Sequence, residues 1–445
     1  MNELYFSNQQ LKKLIIPLAI EQFLTMLVGF MDTVMVSQVG ETAVSAVSLV
    51  DTINVLLIFV FQALATGGAV VASQYFGQGS KENAQHSAKQ LVLVTFGISI
   101  IIMIICLIFK KGILALVFGD VETAVMDDCL IYFFYSLLSY PFIALFNSGA
   151  ALFRTMGKAS ISMVNSLIMN VMNIILNAFF IFVLNMGVAG VAIATLISRI
   201  TGCVIVLILL KNKNHDIYID RYLSIRPDFS NIKKIMTIGI PTGLENGIFQ
   251  LGKIMVQSLV ATLGTYAIAA NAVTSNMAQM MIIPGQAVGL AMVNVVGVCI
   301  GANDYQQVDY YIKKMMKIAY IAMFVTSFGV ALASPIIFKL YALSNETKSL
   351  AYICIWMHAI FGAIIWPLGF AFPNALRAAN DARYTMSVSV TSMFLCRYSL
   401  SFIFVKYLGF GLVGVWGAMI IDWFVRAGFF VYRYKSGKWK NKQLV

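Results

Sequence analysis

The first apolar segment of the chain, residues 14–37, carries two carboxylates, Glu21 and Asp32. A charge inside a lipid bilayer costs several kcal/mol, so carboxylates in such segments are rare and are functional candidates by default. On a helix both side chains project from one face, about 16 Å apart. Asp32 either binds a cation or makes a structural hydrogen bond to a neighbouring helix. Glu21 lies close to the basic start of the segment and is either an interfacial carboxylate or a substrate ligand.

Amide and hydroxyl side chains in two later segments complete an all-oxygen set with Asp32. Asn173 and Asn177 are one helical turn apart in segment 160–184 and share a face, and Thr195 lies in the next segment. One carboxylate with neutral oxygens suits a proton or a hard monovalent cation better than a divalent ion, which prefers more carboxylates. From the residues alone, hydrogen bonds between helices explain the amides equally well.

The second half of the chain carries a charged pair of its own, Glu245 and Lys253. Their spacing places them within about 80° of each other on a helix, so contact through an intermediate group is expected rather than a direct contact. They form either a charged lining for an amphiphilic substrate or a mutually neutralised pair. Charges nearer the segment ends are expected to reach solvent: Asp51, Asp127, Asp128, Asp422 and Arg426. For two further arginines the sequence names no partner: Arg199 and Arg397.

The composition requires a membrane protein. The chain has 445 residues, of which 60% are hydrophobic and only 11% are charged, with a mean hydropathy of +0.84. Soluble domains carry about 25% charged residues, so a soluble enzyme, a disordered chain and a secreted disulfide scaffold are excluded. Apolar runs predict twelve spans: 14–37, 44–75, 88–109, 124–153, 160–184, 187–210, 235–262, 266–299, 312–338, 348–375, 384–405 and 411–432.

No motif for catalysis or for a cofactor is present in the sequence. Gly247–Lys253 matches the GxxxxGK pattern, but Ile254 stands where a phosphate loop has Ser or Thr, and the segment is apolar. The six cysteines have no CxxC spacing, and the three histidines are too dispersed for a metal site. We therefore expect no enzyme and no cofactor apart from a coupling ion.

The basic residues indicate orientation in the membrane. Most of the 31 lysine and arginine residues lie at the two termini and in every second loop. Since cytoplasmic loops carry the excess of Lys and Arg, both termini of this multi-pass protein are predicted to lie in the cytoplasm. The net charge of +12 thus reflects membrane topology and not a nucleic-acid-binding face.

The two halves of the chain are related by an offset of 224 residues (245 − 21 = 224), which pairs Glu21 with Glu245. Without a gap the same offset pairs GVAGVAIA at 187–194 with GLVGVWGA at 411–418. Because six spans is an even number, the copies enter the membrane with the same orientation, as parallel repeats. The predicted domains are an N-lobe of spans 1–6 (1–210), a cytoplasmic linker (211–234) and a C-lobe of spans 7–12 (235–445).

These motifs together resemble the multidrug and toxic compound extrusion (MATE) transporters. The resemblance covers essentially the whole chain and is carried by seven stretches: MDTVMVSQVG (31–40), ATGGAVVASQYFGQG (65–79), NVMNIILNAFFIF (170–182), GVAGVAIAT (187–195), IPTGLENGIFQLGK (240–253), GTYAIAANAV (264–273) and ALRAANDAR (375–383). It implies twelve helices in two six-helix lobes, alternating access, and antiport of organic cations against Na⁺ or H⁺.

The resemblance also implies a cation site in the N-lobe. Its family positions match four residues here, which are also the metal ligands if Na⁺ is the coupling ion: Asp32, Asn173, Asn177 and Thr195. Asn177 stands where one branch of the family has a second aspartate, which resembles the NorM-like branch. Span 10 has Trp366 and Pro367 and no acid, which argues against a second ion site in the C-lobe.

The predicted function is secondary active export of organic, mostly cationic compounds by a monomer in the lipid bilayer of the cell. Glu21, Glu245 and Lys253 are the predicted substrate-binding residues. The alternative is a flippase of lipids or lipid-linked oligosaccharides from the same superfamily, which a cavity rich in basic residues would favour. A receptor, a channel and a major facilitator rank lower, because duplication argues against a receptor and loop 2–3 lacks the major-facilitator signature.

Overall fold

The computed structural model describes residues 4–119, 122–222, 224–340, 344–440 and 442, and these residues contain helices and no β-strand. The chain is an all-α polytopic membrane protein, as predicted. Twelve long helices follow one another along the described chain: α1 (Asn8–Ser37), α2 (Glu41–Gly77), α3 (Lys81–Phe118), α4 (Thr123–Thr155), α5 (Ala159–Val183), α6 (Gly187–Leu210), α7 (Phe229–Ala261), α8 (Thr265–Gly301), α9 (Tyr305–Ile337), α10 (Asn345–Ala378), α11 (Ala382–Lys406) and α12 (Gly411–Lys435).

The twelve helices correspond to the twelve predicted segments, and most extend beyond the predicted ends. Among the described residues, eleven helices are long and apolar enough to cross a membrane. The remaining helix, α7, has 33 residues but contains Glu245 and Lys253, which make it more polar. Polar residues at helix ends were assigned to loops because hydrophobicity marks only the part of a helix that lies in hydrocarbon.

Several helix starts are capped by short polar side chains. Ser7 Oγ accepts a hydrogen bond from the backbone N–H of Gln10, and Gln10 Oε1 accepts one from the backbone of Ser7, which is a capping box at the start of α1. Asp304 and Ser344 cap α9 and α10 in the same way, through their side-chain oxygens. These contacts satisfy N–H groups that have no partner within the helix.

The chain forms two compact units, Phe6–Gly243 and Leu244–Val445 with Met1–Tyr5. The first is called the N-unit and the second the C-unit. The division falls inside α7, whose first turns belong to the N-unit. The predicted lobe boundaries follow the internal repeat, and they stay a prediction.

Each unit has its own apolar core. In the N-unit the buried rings of Phe61 and Tyr140 meet edge to face, with centroids 5.7 Å apart, and Phe133 packs in the same cluster. In the C-unit three tryptophans occupy the centre of the core together with methionine and small residues: Trp366, Trp416 and Trp423. Aromatic pairs of this geometry contribute about 0.5–1.5 kcal/mol beyond their buried area.

Small residues allow helices to approach closely. A Cβ on Gly67 of α2 would lie 2.5 Å from the carbonyl oxygen of Ile235 on α7, so only glycine fits there. In the C-unit a Cβ on Gly285 of α8 would lie 2.4 Å from the ring of Trp366.

Three helices contain a π-helical turn. These turns are Phe179–Val183 in α5, Pro367–Ala371 in α10 and Met393–Tyr398 in α11. A π-turn shifts the helix face by inserting a residue, and such turns are frequent at functional sites. The turn in α5 follows Asn177 directly, and the turn in α11 contains Arg397.

Candidate functional site

The structure brings together the four side chains of the predicted cation site. Asn177 on α5 donates from Nδ2 to Asp32 Oδ1 on α1 at 2.8 Å, and also to Asn173 Oδ1 at 3.2 Å. Asn173 Nδ2 in turn donates to the hydroxyl of Thr195 on α6 at 3.2 Å. This set of Asp32, Asn173, Asn177 and Thr195 is called the N-unit site. Three helices that pack side by side, α1 on α5 and α5 on α6, supply its members.

Two oxygens of the N-unit site have no hydrogen-bond donor among the residues that the structure describes: Asp32 Oδ2 and Asn177 Oδ1. Asn177 is fully buried, and Asp32 and Thr195 are half-buried. A buried acceptor without a donor costs about 1–3 kcal/mol. The site therefore has oxygen capacity for a proton or a monovalent cation.

A second carboxylate, Asp51 on α2, lies near the N-unit site. Asn54 Nδ2 and the Tyr132 hydroxyl both donate to Asp51 Oδ1, at 2.9 Å and 3.2 Å. The expectation that Asp51 is solvated at a helix end was wrong, because it lies about three turns inside α2 and is held there by these donors. The i, i+3 spacing of Asp51 and Asn54 was the available signal.

Two charged side chains among the described residues lie near Asp32: Asp51 and Arg199. Arg199 donates to the Ser139 hydroxyl at 2.7 Å and not to a carboxylate. With both carboxylates in their charged forms the three groups would carry one net negative charge, which one proton or one monovalent cation would neutralise. In the described part of the chain no cluster of three His, Cys, Asp or Glu side chains could hold a metal.

Glu21 is neutralised inside the N-unit. Its carboxylate is 7% exposed, Oε1 lies 3.6 Å from Arg154 Nη1 on α4, and Oε2 accepts from the Ser162 hydroxyl on α5 at 3.0 Å. Sequence reasoning missed Arg154 because it lies at the end of α4, far along the chain. The predicted role of Glu21 in attracting cationic substrates is untested, and the ion pair argues against it.

Glu245 in the C-unit contacts an arginine and a hydroxyl, as Glu21 does in the N-unit. Oε1 accepts from Arg377 Nη2 on α10 at 2.8 Å, and Oε2 accepts from the Thr385 hydroxyl on α11 at 3.3 Å. Lys253 is not a partner of Glu245, so the mutually neutralised Glu245–Lys253 pair was the wrong interpretation. Lys253 instead lies over the ring of Phe249, with Nζ 5.2 Å from the centroid. The ion pair with Arg377 argues against the predicted substrate role of Glu245, as the ion pair with Arg154 does for Glu21.

The two glutamates form repeat-related sets. Arg154 and Arg377 are 223 residues apart in the sequence, and so are Ser162 and Thr385. This spacing is one residue less than the 224-residue offset between Glu21 and Glu245. Each carboxylate thus bonds to an arginine near the end of the fourth helix of its repeat and to a hydroxyl in the fifth. This conserved geometry between the copies indicates a structural role for both glutamates.

Two charges expected at solvated helix ends are buried in the C-unit. Asp422 is 0% exposed and Arg426 is 2% exposed, and Arg426 Nε donates to Asp422 Oδ1 at 2.9 Å. The Ser392 hydroxyl also donates to Asp422. The expectation was wrong because both residues lie in the interior of α12 and balance each other's charge as an i, i+4 ion pair.

Comparison with known proteins gives a consistent result. The MatE family model matches the chain twice, over residues 17–179 and 241–403, which reproduces the 224-residue offset and covers well over half of the chain. The chain is 29% identical over 438 residues to the uncharacterized transporter YisQ of Bacillus subtilis, covering 96% of this chain and 94% of the relative.

A second relative and a solved structure extend the comparison. The chain is 23% identical to a probable multidrug resistance protein NorM of Thermotoga maritima, covering 98% of this chain and 94% of that protein. A crystal structure of a MATE protein in complex with MaL6 superimposes with a TM-score of 0.90 at 22% identity, and the alignment covers 97% of both chains. At that identity the structural likeness shows the fold, which is a two-lobe helical transporter fold.

Proposed function

We propose a mechanism of export for this chain, which belongs to the MatE family of multidrug efflux transporters and is therefore a membrane transporter and not an enzyme. The proposal is that it exports organic, mostly cationic compounds by antiport against Na⁺ or H⁺, with alternating access and with the N-unit site as the coupling site. The organic compounds follow from the family and from the name of the Thermotoga relative. The proposal includes that this chain is similar to the NorM-like branch, because Asn177 stands where another branch of the family has a second aspartate.

The observation that carries the proposal is the hydrogen-bonded chain from Asp32 through Asn177 and Asn173 to Thr195. An ionised carboxylate in a dry interior is costly, so Asp32 must take up a proton or a cation before its surroundings close and exclude water. If the coupling ion and the exported compound favour different conformations, binding of one drives release of the other. Coupling then needs no direct contact between ion and substrate.

The test is efflux of a fluorescent organic cation from proteoliposomes under separately imposed Na⁺ and pH gradients. We expect one gradient to drive efflux, and Asp32→Asn, which keeps shape and removes charge, to abolish it. Asp127→Asn is the matched control, since Asp127 is exposed at the start of α4 and should leave efflux unchanged. Wild-type protein that moves no cation under either gradient would contradict the proposal.

A flippase of lipids or lipid-linked oligosaccharides is the second candidate. One observation favours it, which is that Lys253, Arg397 and Arg426 gather around one ring in the C-unit. Transbilayer movement of a fluorescent anionic lipid that needs no ion gradient would select this function over antiport.

A further inference from the structure

The C-unit positions that the internal repeat relates to the N-unit site have different chemistry. At the 224-residue offset, which holds for Glu21 and again from Gly187 onward while Ser162 and Thr385 between them are 223 apart, the carboxylate is replaced by an apolar side chain and one amide by a guanidinium: Asp32 corresponds to Val256, Asn173 to Arg397, Asn177 to Ser401 and Thr195 to Met419. The place that is acidic in one copy is therefore basic in the other.

Three cations surround one aromatic ring at this place. The ring centroid of Phe249 lies 5.2 Å from Lys253 Nζ, 5.4 Å from Arg397 Cζ and 4.9 Å from Arg426 Cζ. Arg426 also lies over Phe370, at 5.3 Å. Cation–π contacts offset part of the repulsion between these charges. The group of Phe249, Lys253, Arg397 and Arg426 is called the C-unit cluster.

The C-unit cluster has more positive than negative charge. Asp422 is bound by Arg426 and Ser392, so it neutralises one cation of the three. Within the described residues no carboxylate lies within 4.0 Å of a nitrogen of Lys253 or Arg397. Arg397 Nε is buried and has no hydrogen-bond acceptor there. Uncompensated charge in a low-dielectric interior is unfavourable, and an anion that binds both cations would remove the cost.

The residues of the C-unit cluster differ in how exposed they are. Arg426 is buried, Arg397 and Phe249 are half-buried, and Lys253 is exposed. Arg397 lies in the π-turn of α11, and α7 approaches that turn closely because Gly252 faces Met393, whose Cε would lie 2.3 Å from an added Cβ. Lys253 is the most exposed of the three cations.

We propose that the C-unit cluster binds the anionic group of an amphiphilic organic compound, with Arg397 and Lys253 as the charged ligands and Phe249 as the apolar contact. A carboxylate, sulfonate or phosphate supplies the chemistry, since guanidinium and ammonium groups both bind such oxyanions. The compound is either a soluble organic anion or zwitterion, or a lipid with an anionic headgroup. The inference goes beyond the proposed function, whose substrates are mostly cationic, by adding compounds that carry an anionic group, and it rests on that function for the transport of what is bound.

The experiment is equilibrium binding without any ion gradient, so its failure is separate from a failure of antiport. Full-length protein in phosphatidylcholine nanodiscs is titrated with dansylglycine, a carboxylate, and with dansylglycinamide, its neutral isostere, and fluorescence anisotropy is measured. We expect the carboxylate to bind about tenfold more tightly than the amide, as charged hydrogen bonds imply. Arg397→Gln and Lys253→Gln should each remove this preference.

The control variants separate charge from packing. Arg397→Lys keeps the charge and should keep part of the preference, whereas Arg383→Gln, an exposed arginine at the start of α11, should keep all of it. If Arg397→Gln does not fold, the test uses Lys253→Gln alone, since Lys253 is exposed. If anionic phosphatidylglycerol in the nanodiscs competes with dansylglycine, the anionic group that the cluster binds is a lipid headgroup. If it does not compete, the anionic group belongs to a soluble compound. Equal affinity for acid and amide, or a preference that survives both glutamine variants, would overturn the proposal.

Discussion

At the scale of single residues, Glu21 and Glu245 differ from Asp32 in how their charge is balanced. Each glutamate contacts an arginine and a hydroxyl within its own unit, whereas Asp32 has only a neutral amide donor. A buried ion pair adds little net stability over an apolar pair, but loss of one partner leaves an uncompensated charge. The glutamates are thus expected to stabilise the fold, and Asp32 is expected to exchange a cation.

We predict that Glu245→Gln lowers the free energy of unfolding by about 3 kcal/mol, because Arg377 is left buried without its counter-charge. Glu21→Gln should lower it less, since its ion-pair distance is 3.6 Å against 2.8 Å for Glu245. Unfolding of purified protein in detergent measures both values, and the double variant Glu245→Gln/Arg377→Met should recover much of the loss. A large fall in affinity for an organic cation with unchanged stability would instead establish the substrate role predicted from sequence.

At the scale of elements, the linker between α6 and α7 is tied to the start of α3. Two ion pairs and one hydrogen bond between a histidine and a carboxylate join them along two turns of the helix: Lys81–Asp216 at 2.7 Å, His86–Asp228 at 2.9 Å and Lys89–Asp220 at 3.1 Å. Gln90 adds hydrogen bonds to the backbone of Arg226 and Asp228. The sequence predicted a polar linker, and its attachment to α3 depends on contacts more than 100 residues apart in the chain.

We predict that the attachment of the linker is lost only in acid. Hydrogen bonds from His86 and Lys89 lower the pKa of Asp228 and Asp220 respectively. A carboxylate with a lowered pKa contributes to folding above its unfolded pKa, near 4, and loses that contribution as the pH falls through its lower folded value. A spin label at Asn214→Cys should therefore have constant mobility from pH 7 to about 5 and become more mobile below about 4.

The matched control for the linker is the same label in a protein with Lys81→Gln and Lys89→Gln. Its mobility should be high already at pH 7, since both ion pairs are removed. A label whose mobility rises steadily between pH 7 and pH 5 in the parent protein would contradict carboxylate control of the attachment.

We also predict that Gly67 is required for the packing of α2 on α7. The Cβ of Gly67→Ala would meet the backbone oxygen of Ile235, which cannot move aside as a side chain can, so we expect a loss of about 1–3 kcal/mol. Gly97→Ala on α3 is the control: nothing lies within 4 Å of an added Cβ, and alanine favours a helix by up to about 1 kcal/mol. Unfolding midpoints that change equally in both variants would contradict the packing argument.

At the scale of the whole molecule, the two copies of the repeat keep one set of contacts and differ in another. The glutamate, arginine and hydroxyl contacts recur in both units, while the positions of the N-unit site become basic and apolar in the C-unit. Duplication preserved the contacts that hold the helices together. The divergence supports separate tasks for the units, an ion in one and an anionic group in the other.

Both termini and the linker are predicted to lie on the cytoplasmic side, because each copy has an even number of spans and the basic loops alternate. A green fluorescent protein fused after residue 445 should fluoresce, and alkaline phosphatase at the same place should be inactive. Fusions after Phe118, in the loop between α3 and α4, should give the reverse. Active phosphatase at the C-terminus would overturn the predicted orientation.

Much of the fold and part of the candidate site could be predicted from local signals. Hydrophobic runs predict membrane helices because hydrocarbon excludes unpaired polar groups, and all twelve were found this way. The residues of the N-unit site were named because polar groups are rare in such helices. The failures concern partnered charges: Asp51, Asp422 and Arg426 were assigned to solvent because hydrophobicity does not show which donors and counter-charges a side chain meets in the fold.

The sequence by itself determined the helical class, the number of helices, the repeat and the candidate polar residues, since each depends on composition or on spacing along one helix. Only the tertiary structure decided which charges are balanced. It paired Glu21 with Arg154 and Glu245 with Arg377, and it left Lys253 and Arg397 beside Phe249. The physical reason is that electrostatic energy depends on distances in space between helices far apart in the chain.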